Sequence, residues 1–145
     1  MRQIKRLVIH CSATEQGANF KAADVREWHL QRGFKDIGYH LVILLDGTTE
    51  AGRPLEVAGA HAQGYNADSI AICYIGGMLK GKAHDTRTPA QRTTLRTWVA
   101  VFKSIYPQLD VCGHRDLSVD LNGDGVITPS EWMKACPSFD VKTEL

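Results

Sequence analysis

Residues 111–139 read VCGHRDLSVDLNGDGVITPSEWMKACPSF, and two metal-binding patterns share this one stretch. Asp120, Asn122, Asp124, Gly125 and Glu131 fill D-x-[DN]-x-[DN]-G-x5-E without a gap. A calcium loop needs this arrangement: hard oxygen ligands at alternate positions, a glycine at the sharp turn and a two-oxygen glutamate to close the shell. Asp120, Asn122 and Asp124 would then bind through side chains, Val126 through its carbonyl, Thr128 directly or through water, and Glu131 through both oxygens. An acidic turn followed by a capped helix explains the glycines and Glu131 without any ion, but not all the matched positions together. His114 and Cys136 flank the loop, and an imidazole and a thiolate suit a borderline-soft ion such as zinc.

Working outward, Thr128-Pro129-Ser130-Glu131 has the form of a capping box, so a short helix is expected through Trp132, with Lys134 and Cys136 at its end and Pro137 terminating it. GHRDLS, upstream, does not look helical, so the loop reads as half of an EF-hand and a structural clamp. Asp110–Cys112 is expected to be a short strand that delivers His114 just beyond its end. Before it, Thr88-Pro89-Ala90-Gln91 is a second capping box, and Leu95, Trp98, Val99, Phe102 and Ile105 or Tyr106 give the following helix one apolar face up to Pro107.

The first half alternates strands with helices. Ile4–Cys11 reads as a buried strand with His10 near its end; successive side chains face opposite ways, so only one of His10 and Cys11 can point into a site. A helix is expected over Lys21–Arg32, stopped by Gly33. Tyr39–Leu45 is a strand turned by Asp46-Gly47 into an antiparallel partner. Gly52–Asp68 reads as a surface loop carrying His61 and Tyr65, and Ser69–Ile75 as another buried strand, followed by a polar stretch, MLKGKAHDTR. His40, on the opposite face from Tyr39, reads as structural. The class is α/β: one domain over 1–145, a mixed central β-sheet flanked by helices, with an inserted EF-hand-like calcium loop at 120–131.

The chain has 145 residues, of which 43% are apolar and 23% charged, enough for one compact core. A net charge of +1 gives no broad basic field, so no nucleic-acid partner is expected. No apolar run approaches the roughly 18 residues of a membrane span. The N-terminal MRQIKRLVIHCS reads as a strand and not as a signal peptide, which implies a cytoplasmic protein until it is released by lysis or exported by another route. Four cysteines are too few for a disulfide scaffold. Cys11 and Cys112 are expected as reduced core residues, with a disulfide between them as the alternative.

His10, His114 and Cys136 come from a strand end, a post-strand turn and a helix end. Three such ligands suit a catalytic zinc, which keeps its fourth position for water and lowers that water's pKa to about 7. Taken singly, each also fits a hydrogen-bonded core histidine or an inert cysteine. The segments LVIHCSAT, DVREWHLQRGFKDIGYHLVILLDGTTEAGR, GAHAQGYNADSIAICYIGG, GHRDL and KACPSF, in this order, resemble the zinc amidases of the phage-lysozyme type, relatives of the peptidoglycan recognition proteins.

The resemblance implies an N-acetylmuramoyl-L-alanine amidase, an endolysin-like hydrolase that cuts the stem peptide from the glycan of bacterial peptidoglycan. It implies His10, His114 and Cys136 as zinc ligands, Tyr39 and Lys134 as catalytic donors to the oxyanion, and His61 as a substrate-cleft residue. No HExxH supplies a glutamate base. The stretch between the His114 and Cys136 ligands is longer than in the simpler phage relatives, and the calcium pattern fills the insert, so calcium is expected to hold the helix that aims Lys134 and Cys136. Two other readings stay open: a non-catalytic peptidoglycan-binding module on the same fold, in which the cysteine ligand is commonly missing, and a regulatory protein partner, since some phage relatives also bind a polymerase.

Overall fold

The computed structural model describes residues 2–145. Its centre is a five-stranded sheet in the order β4-β3-β5-β1-β8. The strands are β1 (Arg6–Cys11), β3 (Leu41–Ile43), β4 (Thr49–Ala51), β5 (Ser69–Tyr74) and β8 (Asp110–Gly113). β1 runs parallel to both β5 and β8, β3 runs parallel to β5, and only β4 is antiparallel, so the sheet is mixed as expected.

Alternation along these strands sorts the residues onto two faces. Leu7, Ile9 and Cys11 of β1, Ile43 of β3 and Ile70, Ile72 and Tyr74 of β5 pack with Leu95, Val99 and Phe102 of helix α2 (Pro89–Ile105). On the opposite face Val42 packs with Ala22 and Val25 of α1 (Ala22–Gln31). His10 alternates with Ile9 and Cys11 and therefore lies on the α1 side. The shorter α1 leaves part of that face uncovered, and the site lies there.

α2 begins as its capping box predicts. Thr88 Oγ1 accepts from Gln91 N–H at 3.1 Å, and Gln91 Oε1 accepts from Thr88 N–H at 2.9 Å. Gln91 is fully buried and donates to the Ile75 carbonyl at 3.0 Å, which ties the helix start to the end of β5. At the other end Tyr106 packs on the core while Ile105 is 58% exposed, which resolves the last position of the apolar face. The Asp46-Gly47 turn joins β3 to β4, with Gly47 at φ +86° as such a turn requires.

Four expectations need correction. The polar stretch after β5 forms strands β6 (Gly77–Leu79) and β7 (Lys82–Ala83), which join β2 (Thr14–Glu15) in a second, three-stranded sheet. A Cβ on Gly77 would lie 2.5 Å from Cys11 Sγ, so the crossing of the two sheets needs glycine there. The helix expected after Thr128 is a single 3-10 turn, Pro129–Glu131; Trp132 is already extended, with its ring under the Arg115 guanidinium at 3.9 Å. Lys134 and Cys136 thus sit on irregular chain, not on a helix end. GHRDL, read as non-helical, makes one 3-10 turn, His114–Leu117, too short to be the entering helix of an EF-hand.

The alternative of a Cys11–Cys112 disulfide also falls, since all four cysteines are free. The register shows why: Cys112 lies opposite Val8 and shares its face, while Cys11 is on the other. Finally, α3 (Val141–Glu144) folds back so that Glu144 and Asp85 both hold Arg87, whose guanidinium lies 3.3 Å from the Phe139 ring centroid.

Candidate functional site

A cleft of about 580 Å³ opens on the α1 side of the sheet. Its floor is His10, delivered by β1 and 1% exposed. β8 ends at Gly113, the neighbour of Ile9, so His114 emerges directly beside His10, and their ring centroids are 4.7 Å apart. Cys136 arrives from beyond the 120–131 loop, held by a hydrogen bond from Arg115 N–H to its carbonyl at 2.8 Å. One ligand atom from each of His10, His114 and Cys136 lies within 4.8 Å of the others.

The fit to a tetrahedral ion can be tested on one distance. Zn–S and Zn–N bonds of about 2.3 and 2.05 Å at a tetrahedral angle put sulfur and nitrogen about 3.6 Å apart. Cys136 Sγ and His10 Nδ1 are 3.7 Å apart. The Cys11 N–H also points at Cys136 Sγ, at 3.3 Å, as a donor to a thiolate would. The donor set and its spacing therefore fit zinc.

Protonation agrees. Burial, followed by the neighbouring His61 and His114, pushes His10 well below its ordinary value, and burial with Lys134 nearby lowers His114 to about 4. Both imidazoles are neutral at pH 7, as metal ligands must be. The adjacent Cys11 thiol, together with burial, pushes the Cys136 thiol upward, so a cation in the cleft is needed to favour its thiolate.

Tyr39 and Lys134 line the same cleft. The Tyr39 ring centroid is 5.0 Å from that of His10, and burial, then the nearby cysteines, raises its hydroxyl above the ordinary range, so it remains a proton donor at neutral pH. His61 also lines the cleft, but both its ring nitrogens are engaged: Nδ1 with His10 Nε2 at 2.9 Å and Nε2 with Ser69 Oγ at 2.9 Å. Ser69, which the sequence does not flag, is fully buried. His40 is structural as expected: its Nδ1 accepts from Ala71 N–H at 3.0 Å, and its Nε2–H donates to the Val57 carbonyl at 2.9 Å.

Residues 120–131 form a second cluster, in which carboxylate oxygens of Asp120, Asp124 and Glu131 lie within 4.8 Å of one another. Asp120 accepts from Gly123 and Gly125 N–H, Asn122 Oδ1 from Asp124 N–H, and Asp124 from Val126 N–H. Glu131 reaches back to Leu121 N–H at 2.6 Å and to Thr128 N–H at 3.0 Å, and the Thr128 N–H leads the contacts that hold its carboxyl below the usual range. The Thr128 hydroxyl donates to Glu131 at 2.9 Å, and the Val126 side chain is exposed.

A sequence profile described as N-acetylmuramoyl-L-alanine amidase matches residues 1–138. The chain is 39% identical to the endolysin of Enterobacteria phage T3 and 38% identical to that of Escherichia phage T7, each over 137 residues, 94% of this chain and 82% of the endolysin. Among solved structures, the N-acetylmuramoyl-L-alanine amidase LysC from Clostridium intestinale superposes with a TM-score of 0.75 at 26% identity, over 99% of this chain and 82% of LysC. Fold, cleft and sequence thus define an amidase of the phage-lysozyme and peptidoglycan-recognition type. The chain belongs to the N-acetylmuramoyl-L-alanine amidase family. Among the described residues no helix is long and apolar enough to cross a membrane.

The buried histidines fix a pH dependence. His29, His61 and His114 titrate near 6.5 when unfolded but at about 4, 3 and 4 in the fold, burial being the first cause for each. The unfolded chain then binds more protons in between, so their contribution is fully present above pH 6.5 and is lost as pH falls toward 4. Thermal unfolding of the metal-chelated protein should show a Tm that changes little between pH 7.5 and 7 and declines from about pH 6.5 to 5. A Tm constant over that interval would contradict the buried neutral imidazoles.

Proposed function

We propose that this chain is a zinc-dependent endolysin-type enzyme that hydrolyses the amide between N-acetylmuramic acid and the L-alanine of the stem peptide in peptidoglycan. The observation that carries the reading is the convergence of His10, His114 and Cys136 on one point of an open cleft, at a sulfur-to-nitrogen spacing of 3.7 Å. His10, His114 and Cys136 would hold the ion. When bound there, zinc supplies Lewis acidity toward the scissile carbonyl and a water of lowered pKa.

The remaining work falls to side chains of the cleft. Tyr39, protonated and close to His10, and Lys134, an ammonium at the exposed rim, donate to the oxygen on which charge develops. The cleft is open enough for a sugar-peptide junction, and the apolar faces of Trp28 and Phe34 offer it a wall. Retention of Cys136 favours catalysis over the alternative, a non-catalytic peptidoglycan-binding module. Peptidoglycan or its fragments are the partner this reading requires, and release through host lysis, as for endolysins, is the route to it.

We further propose calcium as a structural ion at Asp120, Asn122, Asp124, Val126, Thr128 and Glu131. Three carboxylates held this close repel one another unless neutralised, and an ordered loop costs roughly 1 to 2 kcal/mol of backbone entropy per residue. The path from this loop to the cleft runs through Met133 N–H, which donates to Ser118 Oγ at 3.1 Å, and through the Arg115 hydrogen bond to the Cys136 carbonyl.

Digestion of purified peptidoglycan with mass analysis of the products tests the activity. Wild type should free glycan strands of intact stem peptides, and Cys136→Ala should lower the rate by 2 orders of magnitude or more, about the loss expected when catalytic charge stabilisation is removed. Cuts within the peptide or between sugars would reject the assignment. For calcium, a chelator selective for calcium over zinc should lower the Tm, calcium should restore it, and Asp124→Ala should abolish the restoration. Identical melting in chelator and in calcium would rule the structural ion out.

A further inference from the structure

His61 was expected to touch substrate, yet its imidazole has no free nitrogen to offer. It lies in the middle of a chain of hydrogen bonds from His10 to the Tyr65 carbonyl. The direction of every proton in this chain follows from its last member. Ser69 Oγ is 2.7 Å from the Tyr65 carbonyl, and a carbonyl can only accept, so the Ser69 hydroxyl proton lies between them. The reverse assignment would leave two oxygens 2.7 Å apart with no proton between them.

Having spent its only proton, Ser69 Oγ accepts from His61 Nε2, 2.9 Å away. With its one proton on Nε2, the neutral His61 imidazole has a bare Nδ1. That atom accepts from His10 Nε2–H at 2.9 Å. His10, neutral as a metal-binding imidazole must be, is left with its lone pair on Nδ1, and this atom lies 3.7 Å from Cys136 Sγ.

We propose that His61 and Ser69 are positioning residues that lock His10 in the Nε2–H tautomer, so that its Nδ1 lone pair faces the cation position beside Cys136. The inference rests on the zinc reading above and assigns His61 a role toward the metal ligand instead of the substrate. The rest of the loop supports that role. Asn66 Oδ1 accepts from the backbone N–H of both His61 and Ala62, at 2.9 and 3.0 Å, and closes a tight turn around His61. Arg6 of β1 pairs with Asp68 at 2.7 Å and lies over the Tyr65 ring, so the turn is tied to the strand that carries His10. A Cβ on Gly59 would meet the His61 ring at 2.7 Å and the Gly38 carbonyl at 2.6 Å, so glycine is what lets the ring sit against this backbone. Hydrogen-bond partners of metal-binding histidines typically contribute about 10- to 100-fold to metal affinity.

Two measurements test the proposal together. Zinc affinity is read by competition with a chromophoric chelator for wild type, His61→Ala, His61→Gln, Ser69→Ala and Cys136→Ala. The ring tautomers of His10 and His61 are read from long-range proton–nitrogen NMR correlations in the wild-type protein, which needs no substitution to fold. Wild type should bind one zinc ion and show both imidazoles as Nε2–H forms. His61→Ala and Ser69→Ala should bind zinc about 10- to 100-fold more weakly, and His61→Gln, whose side-chain oxygen can accept from His10, should recover part of the loss. At saturating zinc, His61→Ala should regain most of its kcat with KM unchanged, which a substrate contact would not allow. Wild-type affinity in His61→Ala, or an Nδ1–H form of His61, would overturn the proposal while leaving the zinc site intact. A wild type that binds no zinc, or Cys136→Ala binding as tightly as wild type, would overturn the zinc reading and this inference with it.

Discussion

The site depends on one constraint, the parallel register of β1 between β5 and β8. Pairing Val8 with Cys112 and Ile9 with Gly113 brings the end of β8 beside His10, so the chain turns into His114 where a second imidazole is needed. Because side chains alternate, a slip of one residue in β1 would send His10 into the apolar layer under α2 and Cys11 into the cleft. The apolar contacts of Leu7 and Ile9 with α2 hold this register. The hydrophobic core is therefore what aims His10 into the cleft.

That arrangement carries a cost that the rest of the site offsets. An imidazole buried in a central strand must have both nitrogens satisfied. His10 meets this demand in opposite directions, toward His61 on one side and toward Cys136 on the other. Cys136 comes from a part of the chain with little regular structure of its own. Its position is set by Arg115, which stacks on Trp132 through its guanidinium and holds the Cys136 carbonyl through its N–H. His10 and His114 are thus fixed by the sheet and its packing, and Cys136 by a few polar contacts.

What the sequence discloses follows the same division. The α2 helix was legible at both ends because Thr88, Gln91 and Pro107 are local signals, and β1 and β5 because their apolar runs match buried strands. The second sheet was not, because β2 and β7 are two residues each and largely exposed, so no burial pattern marks them. The box at Thr128 and Glu131 looked like the start of a helix, but only half of it forms: Glu131 accepts from Thr128 N–H, while the Thr128 hydroxyl donates to that carboxylate instead of capping the backbone, and the chain is extended again at Trp132. His61 was visible as a cleft residue. Its partners His10 and Ser69 could not be seen together, since they meet only when the loop folds over two strands.

The central claim is that two imidazoles and one thiolate bind a zinc ion whose fourth position stays open. X-ray absorption at the zinc edge of the metal-loaded protein tests it most directly. One sulfur near about 2.3 Å and three nitrogen or oxygen neighbours at about 2.0 to 2.1 Å, one of them exchangeable for an added anion, is the expected shell. A shell without sulfur, or one with four protein ligands and no response to added anions, would contradict the account.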